Sequence, residues 1–391
     1  MSEEIVRIAA RGDGVTASGR HVPFGVPGDQ VLDDGTLLEG PHHQKPPCRH
    51  FPECGGCQLQ HVDDTAYRAY LVSRVTSALD QHGLTTDIRD PDLSPSNSRR
   101  RASLRALKVG KGVVIGFNAA KSHQIVDMRE NHILRPELLA LIAPLRELLG
   151  MLLQPKRTAE VQMTLLDQGV DVAFKGVEPK GLAAIEGLTA FCEQQGLSRL
   201  SVDQGLGPEV LYEPVPAPVS LAGSPVTLPV GGFLLATEDG EAALVAAVRA
   251  AVGDAGLIAD LFAGIGTFAL ALKGKVYAAE ASRDAVLSLK RAAPALAVEH
   301  RDLYRRPLEV GELNRFEAVV LDPPRAGAEQ QCVALAASAV KRIAFVSCNP
   351  ATFGRDARLL VDGGYSLDWV RPVGQFRWST HVELAAAFSR A

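Results

Sequence analysis

Cys348 stands in Ser347-Cys348-Asn349-Pro350, directly after the apolar run Ile343-Ala344-Phe345-Val346. That run reads as a buried strand, so the thiol lies at a strand's carboxyl end, the edge where open α/β sheets bind ligands. A lone strand-end cysteine is most often a small buried hydrophobe. Here the Asn-Pro that follows and two neighbouring motifs favour chemistry. Leu321-Asp322-Pro323-Pro324-Arg325 leaves the run Ala318-Val319-Val320. Its prolines fix φ and remove donors, making a rigid turn that can hold the Asp322 carboxylate toward a ligand. Asp260-Leu261-Phe262-Ala263-Gly264-Ile265-Gly266-Thr267 leaves the run Leu257-Ile258-Ala259. Together these turns suggest a cysteine nucleophile beside a bound cofactor, its pKa lowered by a helix expected over 351–361. His381-Val382-Glu383 opens the last expected strand and would bring a carboxylate to the same edge.

Gly264 and Gly266 let the backbone turn tightly and approach a ligand. The pattern is not G-x-G-x-x-G, so a dinucleotide site is not favoured. Glu280 ends the next strand, where an acid can hold ribose hydroxyls. Asp-x-Phe-x-Gly-x-Gly plus that acid resembles the S-adenosylmethionine site of class I methyltransferases. Asp322-Pro323-Pro324-Arg325 resembles the Asp/Asn-Pro-Pro motif of nucleic-acid base methyltransferases.

Half of the six cysteines crowd together as Cys48, Cys54 and Cys57. In a reducing compartment such crowding reads as a metal or cluster site rather than disulfides. Gly55 and Gly56 permit a tight loop that turns the sulfurs inward. Three thiolates suit zinc or an iron–sulfur cluster, and either normally takes a fourth ligand.

The elements that must position these residues form several units, since 391 residues exceed one ordinary core. Residues 1–45 read as short strands with glycine turns, a small barrel of a kind that often binds oligonucleotides. Residues 46–62 are the cysteine segment. Residues 63–237 alternate strands with helices near 66–82, 136–152 and 180–194, an α+β unit. Residues 238–391 alternate helix and strand as a doubly wound parallel sheet, with helices expected at 241–253, 267–272, 282–293, 328–339 and 351–361. A composition 46% hydrophobic and 22% charged is that of a soluble globular protein. No apolar run approaches a membrane span and no signal-peptide core is present, so a cytoplasmic location is expected. The net charge of −4 argues against general nucleic-acid affinity but leaves room for a local basic face. Arg99, Arg100, Arg101 and Arg105 offer one, although a solvated charge run is the plainer reading of that segment alone.

These residues together resemble the RNA uracil-5 methyltransferase family along nearly the whole chain. Residues 1–45 look like its TRAM barrel, with Arg11-Gly12-Asp13-Gly14 and Pro27-Gly28-Asp29 in order. Cys48-x5-Cys54-Gly55-Gly56-Cys57-Gln58-Leu59-Gln60-His61 looks like the segment of its iron–sulfur members, chiefly 23S ribosomal RNA methyltransferases. The Asp322, Cys348 and His381-Val382-Glu383 motifs match its catalytic and terminal motifs. The resemblance implies a Rossmann-like class I fold and Cys348 as nucleophile, with Glu383 as general base. S-adenosylmethionine would be held at Phe262, Gly264, Gly266, Thr267, Glu280, Asp302 and Asp322. It further implies a 4Fe-4S cluster on Cys48, Cys54 and Cys57, an RNA partner (ribosomal before transfer RNA), no membrane, and a monomer. Two positions depart from the pattern. Asn131 stands where cluster members carry a fourth cysteine, leaving His132 as the alternative donor or the position open. Leu235 stands where a cofactor-contacting glutamine is usual.

In the implied mechanism Cys348 adds to uracil C6, C5 takes the methyl group, and Glu383 removes the C5 proton. The target base must leave its stack, and the barrel and Arg99–Arg105 would supply offsetting RNA contacts. A 5-methylcytosine enzyme is an alternative, but such enzymes use a Pro-Cys motif and position 324 here is proline. An iron–sulfur RNA-binding protein with reduced methyltransferase activity is the alternative from another class.

Overall fold

The computed structural model describes residues 2–391, which build three sheets and a hairpin. The first sheet is five-stranded and antiparallel. Strand Ser2–Ile8 pairs with Gln30–Leu32 through its first half and with Gly14–Thr16 through its second, with a register shift between Ile5 and Arg7. That irregularity bends the strand, and the sheet curls over its own core of Ile5, Val22 and Val31, an open form of the expected small barrel.

The second sheet has six strands, the central ones being Arg101–Val109, Thr158–Leu166 and Gly169–Lys175. Helices Ile142–Leu152 and Leu182–Gln195 bury Leu145, Leu149, Leu188 and Phe191 with its inner face.

The third sheet carries the site. Its order runs Ala297–His300, Lys275–Glu280, Leu257–Leu261, Ala318–Leu321, Arg342–Ser347, Glu383–Ser389, Ser366–Gly374, Asp87–Ile88. The first five strands are parallel, and the central ones, Leu257–Leu261, Ala318–Leu321 and Arg342–Ser347, have Val-, Ile-, Leu- and Ala-rich centres buried on both faces. Glu383–Ser389 inserts antiparallel between its two neighbours. The doubly wound sheet expected from the sequence is therefore mixed: parallel through its first five strands, antiparallel on both sides of Glu383–Ser389, and parallel again where Ser366–Gly374 pairs with Asp87–Ile88. Strand order reverses between Leu257–Leu261 and Ala318–Leu321, so a crevice opens at their carboxyl ends.

Other expectations change in detail. Residues 267–272 form consecutive turns rather than a helix, because Gly264 and Gly266 both take positive φ. Helix Asp64–Asp80, capped by the Asp63 side chain on the Ala66 N–H, packs with the third sheet, burying Tyr67, Leu71 and Val75 in its core. Strands Asp87–Ile88 and Asp92–Leu93 extend that sheet's edge. Residues 64–93, grouped above with the middle unit, thus pack with the third sheet. Among the described residues no helix is long and apolar enough to cross a membrane.

Candidate active site

The turns after Leu257–Leu261 and Ala318–Leu321 leave adjacent strands, and the Asp322 N–H donates to the Leu261 carbonyl at 3.3 Å. Next along the edge, Ser347 pairs with Leu384 in antiparallel register. Cys348 follows Ser347 and Glu383 precedes Leu384, so both flank this last pair, and the Glu383 charge acts on the Cys348 thiol. Thiol and carboxylate reach one spot because two strands of opposite direction end and begin there. Asn349 caps helix Pro350–Asp362, its side chain accepting from the Ala351 N–H, so Cys348 sits just ahead of a helix N-terminus.

That helix does not lower the thiol's pKa as expected. Burial pushes the Cys348 thiol up, and the nearby Glu383 and Asp322 carboxylates push further, against an opposing pull from Arg325. Desolvation and like charge outweigh the helix end. The same burial pushes Glu383 up to about 7, opposed by a hydrogen bond from Gln375 and by Arg325. Asp322 is raised well above the carboxylate range by burial first, then by Glu383, Asp260 and Glu280.

Arg325 is the cation placed among these groups. Its carbonyl accepts from the Asn349 amide at 3.0 Å and the Thr352 hydroxyl at 3.2 Å, tying the Asp-Pro-Pro turn to the Cys348 loop. Its guanidinium meets His381 Nδ1 at 3.2 Å. Gln375 is a residue the sequence reading passed over. It is buried, and its Oε1 accepts from the Ala236 N–H at 2.9 Å, which leaves its amide nitrogen for Glu383.

Around the glycine turn, Glu280 accepts from the Gly264 N–H at 2.9 Å and the Ser282 N–H at 2.6 Å, which fixes its carboxylate at the strand end. Phe262 takes φ +65°, a strained value for a non-glycine residue that is typical of ligand-binding turns. Its ring centroid lies 5.6 Å from that of Tyr304, which follows Asp302. Asp302 in turn accepts from the Tyr304 N–H. A Cβ on Gly264 would meet nothing within 4 Å, so open space lies over the turn. Thr267 is half-buried in it. Asp260, also missed, is fully buried with no side-chain partner, and burial raises it to about 7 against a weak backbone contact from Ala269. A buried acid, a held acid and an open glycine turn fit a polar cofactor bearing hydroxyls and a cation. Leu235 is not in this site. It packs with Leu244, Val248 and Trp369 in the core.

Cys48, Cys54 and Cys57 line one cavity with Glu130, Asn131 and His132. Among the described residues no group of three or more histidine, cysteine or carboxylate side chains stands ready to hold a metal ion. Asn131 is committed elsewhere: its Oδ1 accepts from the Ile133 and Leu134 N–H groups at 2.9 and 2.8 Å. The basic run splits by strand alternation. Arg100 is buried and paired with Glu241, and Arg105 pairs with Glu160, while Arg99 and Arg101 line a cleft beside Phe376.

The sheet order, the crevice and the strand-end residues define a class I methyltransferase. A solved structure of a Pyrococcus abyssi tRNA (uracil-54, C5)-methyltransferase in complex with S-adenosyl-L-homocysteine has this fold, with a TM-score of 0.77 over 99% of both chains at 22% identity. The tRNA (uracil-5-)-methyltransferase family model matches residues 295–390. An uncharacterized RNA methyltransferase of Zymomonas mobilis is 49% identical over 99% of this chain and 100% of its own. A 23S rRNA (uracil(1939)-C(5))-methyltransferase, RlmD, of Cupriavidus metallidurans is 33% identical over 88% of this chain and 80% of its own. The chain belongs to the RNA uracil-5 methyltransferase family.

Proposed function

We propose that this protein methylates C5 of a uridine in RNA, with S-adenosylmethionine as donor and a covalent Cys348–C6 adduct as intermediate. The observation that carries it is the nearness of Cys348 and Glu383, which flank the Ser347–Leu384 pair at the rim of the crevice. Uracil C5 is a weak nucleophile. Addition of the Cys348 thiolate to C6 pushes electrons onto C5, and the sulfonium of bound S-adenosylmethionine supplies the methyl group. Glu383 then takes the C5 proton, and the C6–sulfur bond breaks to restore the thiolate. Arg325, which stabilises both charged forms, supports the thiolate before addition. Phe262, Gly264, Gly266, Thr267, Glu280, Asp302 and Asp322 are assigned to the cofactor. Asp260 would meet its charged end from beneath the turn.

Ribosomal RNA is ranked above transfer RNA. The support is the relative acting on 23S rRNA at 33% identity, against 22% for the tRNA enzyme. Mass spectrometry of both RNA classes from a deletion strain decides: loss of 5-methyluridine from transfer RNA alone would reverse the ranking. Residues 1–45 and the second sheet are assigned to RNA contact. An iron–sulfur cluster is assigned to Cys48, Cys54 and Cys57, whose three thiols share one cavity with the nitrogen donor His132. Electron paramagnetic resonance of reduced, anaerobically purified protein tests this; a signal-free, iron-free preparation counts against it.

The covalent step is tested with Cys348→Ala. Methyl transfer should fall to background, and the adduct with 5-fluorouridine-containing RNA should vanish while thermal melting persists. Surviving turnover would sink the mechanism.

A further inference from the structure

Arg99 and Arg101 occupy alternate positions around strand Arg101–Val109, so both point to the outer face of the second sheet. They line a cleft whose wall includes Gly231, Gly232, Phe233 and Phe376. Neither arginine has a carboxylate partner among the described residues, although the chain carries more acids than bases. Each gives donors to carbonyls instead: Arg99 Nε to Arg101 at 3.0 Å, and Arg101 to Leu234 at 2.7 Å. A guanidinium has five donors, so both retain unspent ones.

Phe233 is the second half of the observation. It is 65% exposed on the rim of this cleft, and the Arg101 guanidinium lies 4.9 Å from its ring centroid. Arg99 lies 5.3 Å from the ring centroid of Phe376. Phe376 in turn is 5.7 Å from the His381 ring, and His381 meets Arg325 at the Cys348 loop. Unpaired cations beside an open aromatic face form the chemistry that holds a single nucleic-acid strand: phosphates on arginine, bases on rings. Phe376 thus links the cleft, through His381 and Arg325, to the catalytic edge.

We infer that this cleft is a subsite for the RNA nucleotide next to the target uridine, with its base stacked on Phe233 and its phosphates on Arg99 and Arg101. The inference rests on the RNA methylation proposed above and narrows the substrate to an unpaired segment, since a neighbour in a helix has no free face to offer.

The test uses the full chain and a short single-stranded RNA carrying one 5-fluorouridine, with intact or abasic flanking nucleotides. Phe233→Ala should weaken binding of the intact RNA by about 10-fold. Removing the base on one side of the target should weaken the wild-type protein by a similar factor, and should not weaken Phe233→Ala further. Arg101→Gln should lower the salt dependence of binding by about 0.7 in log–log slope, and Arg101→Lys should restore it. Calorimetry with S-adenosylmethionine should give wild-type affinity for all three variants, showing that the crevice is intact. Additive losses from the Phe233 change and each abasic change, or an unchanged slope in Arg101→Gln, overturn the subsite. A wild-type protein that forms no adduct with any RNA overturns the methylation reading instead, so the two failures are separable.

Discussion

At the scale of single residues, the pocket around Cys348 is a balance of burial against charge. Glu383 loses water on folding, and Arg325 and Gln375 recover only part of that loss, so its carboxyl titrates near 7. A general base works best with a pKa close to the working pH. Both Cys348 and Glu383 must be deprotonated to act, so kcat/KM should climb with pH through about 7 and continue upward as the raised thiol ionises. A flat profile between pH 6 and 8 would exclude this pair as the titrating groups. The same shift has a stability consequence of known sign. The folded-state pKa lies above the unfolded value, so the folded form holds its proton more tightly. Its contribution is present below about pH 4.5 and is lost as pH rises through about 7, by about 3 kcal/mol in all. Glu383→Gln keeps the shape and removes the charge. It should therefore raise the melting temperature at pH 8, leave it unchanged at pH 5, and reduce turnover about 10²–10⁴-fold. A lower melting temperature at pH 8 would contradict the desolvation account.

At the scale of elements, the turn Phe262–Gly266 joins conformation to ligand space. Gly266 takes φ +98°, and a Cβ there would stand 2.4 Å from Leu289 Cδ1. Gly266→Ala should cost about 1–3 kcal/mol and weaken S-adenosylmethionine binding, read by thermal melting and calorimetry. Gly264 has open space instead, so Gly264→Ala meets no clash and costs only the strain of its positive φ, about 1 kcal/mol, while its Cβ intrudes on the proposed cofactor space. The parallel strands were legible because burial on both faces leaves short apolar runs such as Ala318–Leu321. Strand Ser366–Gly374 was not, because it alternates Ser366, Asp368 and Arg371 with apolar residues and contains Pro372, which reads as a loop. Nor was Ala297–His300, four residues of which the outer two are exposed and the inner two half-buried. Residues 267–272 carried an apolar helical pattern, but two positive-φ glycines just ahead impose turns. The motifs at Asp322, Cys348 and Glu383 were legible from type and position. Gln375 was not, since its meaning depends on Ala236 and Glu383 coming together across the fold. Asp260 left one signal, an acid inside an apolar strand.

At the scale of the whole molecule, the cysteine segment is fastened to the catalytic edge by backbone. The Gln58 and Leu59 N–H groups both donate to the Trp378 carbonyl at 2.8 Å, and the Thr380 N–H reaches the Gln58 side chain at 3.4 Å. Tyr67 donates to the carbonyls of Phe376 and Ser379 from the helix that follows. These partners hold the stretch 376–382, which ends at Glu383. On the other side, the Gly55 N–H donates to the Asn118 carbonyl, so the segment also grips the loop that leaves strand Gly112–Gly116 of the second sheet. The cysteine loop is thus a clamp between the region beside the second sheet and the loop that leads to Glu383, the proposed general base. Loosening it should misplace Glu383 without touching the crevice, because none of these bonds involves the glycine turn or Glu280. Cys54→Ser combined with Cys57→Ser should therefore lower kcat at least several-fold and leave S-adenosylmethionine affinity at the wild-type value. Amide exchange over 376–382 should rise in the double variant, while exchange in strand Leu257–Leu261 stays slow. Unchanged protection over 376–382 alongside lost activity would mean that the cysteines act on RNA directly and not through this clamp.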